Sequence, residues 1–454
     1  MKVAFIINKF NYYRLYSTLI IELKNRNIFF DLVHLGNISS KNTAVLNTFL
    51  FENNLQKYSN VINIKNFSKL KDHIIINDYD YFVSLNPVPF NIDNKKIFYK
   101  ITNKWCILMH GDDSYGTVGD WNSFKNTDQL EQNYERFFFA YNKYMHNFHL
   151  DLLKRFPYGN QKNNYKFFEN IKTKIVETGE FSTDLNIIKL KENKTIKQKY
   201  NPENKKVILY LPFPFNPLRQ KNSSWEIAFS GFQSNIFKQK KDNNPKINLF
   251  IIKIYIKFLK IYYFYKIFTT RLSIYYFINK FTEKNLLKKL YKFSKKNNAV
   301  LIIKARKKFP VLNSAEKFSD YIYYEEDDRF YPTILQELIS VSDIVVGYHT
   351  TANKEIAPFK KKYINISCPE IFFNNRKDRL ERHRLKEYNY DGVVDNIDIK
   401  NFIKTIENFN FDYFKTKTEN FSTYNKKYLG LDKTLNASKK FVDFLISNYE
   451  KSTK

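Results

Sequence analysis

The sequence predicts an α/β protein made of two doubly wound halves, each a parallel sheet, facing each other across a cleft. Short apolar runs alternate with helix-length segments, and this series occurs twice along the chain. A polar stretch divides the two series, and a length of 454 residues suits two to three domains.

The first half is expected to span residues 1–188. "KVAFIIN" opens it, a helical pattern follows around residues 12–26, and "FFDLVHLG", "YDYFVSL" and "KWCILMHG" supply further strands. Residues 122–157 read as helical, and "KIVETGEFSTDL" returns to a strand and a turn. No G-x-G-x-x-G follows the first strand, so a dinucleotide fingerprint is absent. "KLKENKTIKQKYNPENKK", residues 189–206, reads as a linker. The second half, 207–423, begins with "VILYLPFPF" and resumes at "AVLIIKARKKF". It continues with "DYIYYEE" and ends with "DIVVGYHTT" and "YINIS". Residues 424–454 read as a closing helix that packs back on the first half. In sheets of this kind ligands bind beyond the carboxyl ends of the strands.

Charge narrows the partners. Lys and Arg number 75 against 45 Asp and Glu, a net charge of +30. Such an excess fits acidic partners, although Lys- and Asn-rich, Gly-poor usage also follows from A/T-rich coding. The surplus is concentrated, because residues 238–310 hold 20 Lys and Arg and only 2 acids. Within the expected insert 222–297, Lys246, Lys253, Lys257 and Lys260 share one helical face among Ile, Phe, Leu and Tyr. A basic, aromatic helix of this type lies on an anionic membrane surface. Ordinary packing on the domain face is the bland alternative. Nucleic acid is not expected as a partner, because no recognisable binding module accompanies the basic residues. Two cysteines, Cys106 and Cys368, build no disulfide framework and match no metal spacing. The start "MKVAFIINKF" reads as a strand and not as a cleavable signal. On these features the protein is expected to be cytoplasmic and peripheral on the inner face of the plasma membrane.

Four blocks at strand ends carry chemistry. In "LMHGDDSYG", His110 can take a proton near neutral pH, and Asp112 or Asp113 can orient it or act as the base. "ETGEFSTD" puts Thr178, Gly179 and Asp184 at a tight turn expected to border the cleft. "IIKARKKF" places Lys304 and Arg306 two residues apart and so on one side of a strand, suited to a diphosphate. In "SDIVVGYHTTANKEIAPF", a strand is expected to stop at Gly347 and to give way to His349, Thr350, Thr351 and Glu355 at a helix start. Threonines there ordinarily cap the helix, and free N–H groups there also favour phosphate.

Taken together, these blocks resemble those of the CDP-glycerol glycerophosphotransferase family of teichoic-acid polymerases and related capsule and surface-carbohydrate transferases of GT-B fold. His110-Gly111 matches that family's His-Gly after a first-domain strand. Thr178-Gly179 with Asp184 matches its Thr-Gly and the Asp five positions on. Ser342-Asp343, Tyr348-His349-Thr350-Thr351 and Glu355 follow the spacing of its most specific block. Two departures stand out. The family's Lys-Pro-His-Pro is here Lys304-Ala305-Arg306-Lys307, and its Asp-Tyr-Ser-Ser begins here with Tyr348.

The resemblance implies a metal-independent glycosyltransferase with no cofactor. It would move a sugar from a nucleotide-activated donor to a glycan or lipid-linked acceptor of capsule, lipopolysaccharide or teichoic-acid type. His110, Asp112 or Asp113 would take the acceptor proton, Lys304, Arg306, His349, Thr350 and Thr351 would hold the donor phosphate, and Glu355 would face the ribose. Two alternatives stand beside it. One is transfer of a polyol phosphate from a CDP-activated donor, and the other is a non-catalytic protein that binds a membrane surface or nucleic acid.

Overall fold

The computed structural model describes the chain apart from residues 37, 86–93, 110–135, 156–172, 185–186, 188, 191–192, 194, 202, 213–282, 306–312, 324–329, 349–351, 368–386, 388 and 454. Two compact units emerge. The first comprises Met1–Glu192, Asp328–Thr333 and Ser422–Lys454, and the second Asn193–Asp327 and Ile334–Phe421.

Unit 1 is a seven-stranded sheet of β1 (Lys2–Ile7), β2 (Phe29–Leu35), β3 (Ser59–Ile64), β4 (Tyr81–Ser84), β5 (Trp105–Leu108), β6 (Arg136–Ala140) and β7 (Thr173–Glu177). The order is β3-β2-β1-β4-β5-β6-β7, and every pairing is parallel. Central strands such as Val3–Ile7 are buried along their whole length, because helices cover both faces of a parallel sheet. Helices α1 (Tyr13–Asn25), α2 (Ser40–Glu52), α3 (Phe67–Ile76), α4 (Lys95–Thr102) and α5 (Lys143–Arg155) connect the strands. Helix α1 buries Tyr13, Tyr16, Leu19, Ile20 and Leu23, the apolar stripe of a 3.6-residue period.

Asparagine does much of the local work in this glycine-poor chain. Asn66 and Asn94 cap α3 and α4, and Asn142 accepts from the Met145 N–H at the start of α5. Asn27, Asn54, Asn204 and Asn298 hold left-handed turns with φ of 55°, 52°, 52° and 48°. Outside glycine, asparagine is among the residues that tolerate this conformation best.

Unit 2 contains α6 (Thr195–Tyr200), β8 (Lys206–Leu211), α7 (Glu283–Lys296), β9 (Ala299–Lys304), β10 (Tyr321–Tyr323), α8 (Ile334–Val341), β11 (Ile344–Tyr348), α9 (Asn353–Ile356), β12 (Lys362–Ser367), β13 (Val394–Asp398), α10 (Ile399–Thr405) and, at the boundary of the units, α11 (Thr418–Tyr424). Its sheet runs β10-β9-β8-β11-β12-β13, again all parallel. One face buries Ile208, Leu301, Ile303, Val346 and Ile364 against Leu286, Leu290 and Phe293 of α7 and Phe402 of α10. The final helix, α12 (Ala437–Thr453), belongs to unit 1, where Arg26, at the carboxyl cap of α1, reaches Asp443 at 2.8 Å.

Several expectations need correction. The helical reading of 122–157 gives way to strand β6 followed by α5, because the buried run Phe137–Ala140 pairs with both β5 and β7. Residues 189–206 include helix α6, anchored by buried Ile196 and Tyr200, and the Tyr200 hydroxyl donates to Glu337 at 2.5 Å. The closing helix is three elements. α11 ends at Tyr424, one π-helical turn covers Asn425–Leu429, and α12 starts only at Ala437 after Gly430 reverses the chain at φ 63°. Of the basic insert, residues 283–296 form α7, whose apolar face enters the unit 2 core. Lys246, Lys253, Lys257 and Lys260 lie outside the described residues. Among the described residues no helix is long and apolar enough to cross a membrane.

Burial also sets a pH response. His34 on β2 is 2% exposed, its Nε2 lies 2.6 Å from the Tyr13 hydroxyl, and burial lowers its pKa to about 4. An unfolded histidine, near 6.5, takes up a proton that the folded one refuses. Stability therefore rises with pH from 4 to 6.5 and falls by about 3 kcal/mol on acidification through that window. His34→Gln should roughly halve the slope of this part of a Tm-against-pH curve, because buried His146, likewise lowered to about 4, titrates over the same window.

Candidate functional site

Strand order fixes where each unit can offer a site. In unit 2 the order reverses between β8 and β11, and crevices open beyond the carboxyl ends of strands at such a switch point. Tyr348, the last residue of β11, stands there. Lys304 ends β9, two strands away across β8 on the same edge, about 10 Å off at roughly 4.8 Å per strand. Glu355 lies on α9, just past the switch point, and is 7% exposed. Asn353, fully buried on the same short helix, donates to the carbonyl of Glu387 at 3.4 Å. Lys304 thus ends a strand at this sheet edge, and Glu355 is buried on the helix that follows β11. His349, Thr350, Thr351 and Arg306 lie outside the described residues.

Tyrosines from both flanking strands reach Tyr348. The Tyr363 hydroxyl, from β12, donates to the Tyr348 carbonyl, and the Tyr210 hydroxyl, from β8, lies 3.4 Å from the Tyr348 hydroxyl. No local pattern hints at this, because residues on three separate strands meet only through the register.

In unit 1, Thr178, Gly179 and Asp184 are all buried beyond the carboxyl end of β7. His110, Asp112 and Asp113, which follow β5 in the chain, lie outside the described residues. The Thr178 N–H donates to the Ala140 carbonyl at 3.1 Å and that of Gly179 to Tyr141 at 3.0 Å, continuing the ladder past the strand. Glu180 accepts from Ser182 and, at 2.7 Å, from the Thr183 hydroxyl, which closes the turn. Asp184, fully buried, accepts from the Ser438 N–H at 2.7 Å and the Ser438 hydroxyl at 2.9 Å. Its carboxylate therefore faces the positive end of α12.

This arrangement makes the turn a fastening for the C-terminal segment. Asp184→Ala strips a charged acceptor from two buried donors, each such bond contributing about 1.5–3 kcal/mol. We expect a loss of about 3 kcal/mol and faster amide exchange along α12, with α2 and α3 unaffected.

No family model matches the chain, and no curated protein matches it. Solved structures do. A UDP-GlcNAc 2-epimerase from Neisseria meningitidis bound to UDP-GlcNAc is 15% identical over 98% of this chain and 100% of that one, with a TM-score of 0.50. A putative UDP-N-acetylglucosamine 2-epimerase from Listeria monocytogenes is 8% identical over 99% and 97%, with a TM-score of 0.52. A variant of the wall teichoic acid polymerase TagF is 12% identical over 100% and 90%, with a TM-score of 0.51. At such identities the likeness speaks for architecture, and with two parallel sheets in the order just described the chain has the GT-B fold.

Proposed function

We propose that the protein is a glycosyltransferase that moves a sugar from a nucleotide-activated donor to a hydroxyl of a cell-surface glycan. The observation that carries this reading is the switch point of unit 2, where β11 runs into the His349-Thr350-Thr351 segment and Glu355 follows on α9. In this reading Lys304, Arg306, His349, Thr350 and Thr351 take the donor phosphates, and Glu355 faces the ribose. His110, with Asp112 or Asp113, removes the proton as the acceptor oxygen bonds to the sugar's anomeric carbon. The bond from that carbon to the phosphate oxygen breaks, and the nucleotide leaves with its added negative charge neutralised by cations and N–H groups. The similar structures support a nucleotide-bearing substrate, since one of them holds UDP-GlcNAc. The spacing from Ser342 to Glu355 favours a second reading, transfer of a polyol phosphate from a CDP-activated donor.

Nucleotide sugars and CDP-polyols, each assayed with and without a glycan or lipid-linked acceptor, separate these readings. Nucleotide release that needs both a nucleotide sugar and an acceptor is expected, and release only from CDP-polyols selects the second reading. Conversion of UDP-GlcNAc without any acceptor would overturn transfer in favour of epimerisation. A thermal-shift panel of CMP, CDP, UDP and GDP identifies the base, since a ligand at 100 times its Kd adds about 2.7 kcal/mol.

The lipid-linked form of the acceptor goes with a location on the anionic inner membrane face, held by the basic residues of 238–297. Each Lys or Arg near such a surface contributes on the order of 1 kcal/mol, screened by salt. The protein should float with anionic liposomes at low salt and not at high salt. Changing Lys253, Lys257 and Lys260 to Glu should abolish flotation, and a variant that floats like wild type returns the segment to ordinary packing.

A further inference from the structure

We propose that the open edge of β3 is a docking site for an extended, acidic segment of another protein, which joins the sheet of unit 1 as an added strand. A strand edge is ordinarily blunted by charge, brevity or proline, because its unpaired N–H and C=O groups are a template for any extended chain. Three of the edge strands in the two sheets follow that rule. β7 carries Lys174 and Glu177, β10 has three residues, and β13 carries Asp395 and Asp398. β3, "SNVINI", has six residues and no charge, proline or glycine.

The register decides which groups are open. At the two ends of the parallel pairing with β2, the Phe30 N–H donates to the Tyr58 carbonyl at 2.9 Å and the Gly36 N–H to that of Ile64 at 2.7 Å. Parallel strands bond through alternate residues, so Asn60 and Ile62 between them also face β2. Ser59, Val61 and Asn63 therefore direct their N–H and C=O groups away from the sheet. Val61 is 38% exposed, and Asn60 and Asn63 are exposed as well. At the amino end of this edge the Tyr58 ring lies 5.7 Å from that of Phe29, which is 59% exposed and offers an apolar surface to an arriving side chain. In such an addition main-chain bonds supply affinity and the flanking side chains select the partner.

Here the flanks are basic. Lys57 and Lys65 stand just outside β3, one at each end, both exposed, and neither meets a carboxylate among the described residues. Exposed Lys69 follows on α3. A segment that is uncharged in its middle and carries Asp or Glu at its ends satisfies the main-chain groups and these cations together. A second copy of this chain is disfavoured. Antiparallel pairing about Val61 would set Lys57 opposite Lys65, and each copy carries a net charge of +30.

The test is fluorescence polarisation of the full-length protein with the labelled peptide Glu-Glu-Thr-Val-Thr-Val-Thr-Glu-Glu and with its counterpart in which every Glu is Lys. The acidic peptide should bind at least about tenfold more tightly. Val61→Pro removes an outward N–H and none of the bonds to β2, a position at which an edge strand accepts proline. It should weaken acidic-peptide binding about tenfold and leave the circular-dichroism spectrum unchanged. Lys57→Glu/Lys65→Glu should invert the preference between the two peptides, and it decides the matter if Val61→Pro does not fold. Equal binding of the two peptides, or binding of neither, would overturn the proposal. Acidic-peptide binding that survives both variants would be general attraction to a basic chain and would overturn it equally. A concentration-dependent dimer in sedimentation that Val61→Pro dissolves would give the edge to a second copy instead.

Discussion

Gly430→Ala should unfold unit 1, at a cost above about 4 kcal/mol, in the range reserved for the most damaging single substitutions. Three backbone segments meet at this point. Gly430, at φ 63°, ends the π-helical turn, and a Cβ there would lie 1.9 Å from the Tyr141 carbonyl oxygen and 3.0 Å from Gly179 Cα. Gly179, at φ 88°, faces it in return, with its own missing Cβ 2.8 Å from the Gly430 carbonyl oxygen. Backbone is not the far end of a flexible side chain, so neither contact can be relieved by a rotamer change. The neighbourhood is also bonded shut. Glu180 N–H donates to Leu429 at 2.8 Å, and the Asn142 amide donates to the carbonyls of Lys426 and Lys427 at 3.0 and 2.8 Å. Relief would require lifting the C-terminal segment off the ends of β6 and β7, together with the Asp184–Ser438 fastening.

Gly36→Ala supplies the control. Gly36 also has a positive φ, 98°, but a Cβ there meets nothing within 4 Å. Its cost is therefore mainly conformational, about 1–2 kcal/mol. Thermal or urea melts of both variants separate backbone conformation from collision. Equal destabilisation by the two would show that the close approach of segments 141, 179 and 430 contributes nothing.

Much of the fold was legible because central parallel strands are buried on both faces and read as unbroken apolar runs. "KVAFII", "AVLIIK" and "KYINIS" were visible for that reason. Strands β3 ("SNVINI") and β13 ("VDNID") were not, because they are edge strands with exposed, polar positions. Strand β6 was hidden differently. Its "RFFFA" is too short to be told from a turn of helix, and genuine helical sequence follows within three residues.

The site was legible unevenly. A turn at Thr178–Asp184 could be placed from pattern alone, and the end of β11 was read at Gly347, one residue short of Tyr348. That Asp184 would receive Ser438, 254 residues away, could not be read from local spacing, and neither could the reach of Tyr363 to Tyr348. The basic stretch carried two messages in one composition, and its last part, α7, uses the apolar stripe for the core of unit 2 and leaves Lys284, Lys288 and Lys292 exposed.

Removing His110, Asp112 and Asp113 together should lower acceptor-dependent turnover by about 10²–10⁴-fold while leaving nucleotide affinity within about twofold. The range is what a positioned general base ordinarily contributes, and it corresponds to about 3–5.5 kcal/mol of barrier. Affinity should hold because these residues follow β5 of unit 1, whereas the proposed phosphate contacts belong to unit 2. The Thr350→Ala/Thr351→Ala variant should do the reverse, raising the donor KM with a smaller effect on the proton transfer. His110→Ala alone discriminates among the three acids and bases. If the imidazole is the base, the acid limb of the wild-type kcat profile lies near pH 6.5 and disappears in the variant. If an aspartate is the base, that limb lies lower, survives His110→Ala, and is lost in Asp112→Asn or Asp113→Asn. A triple variant that turns over like wild type would leave no base in this block, and the proton would have to leave the acceptor by another route.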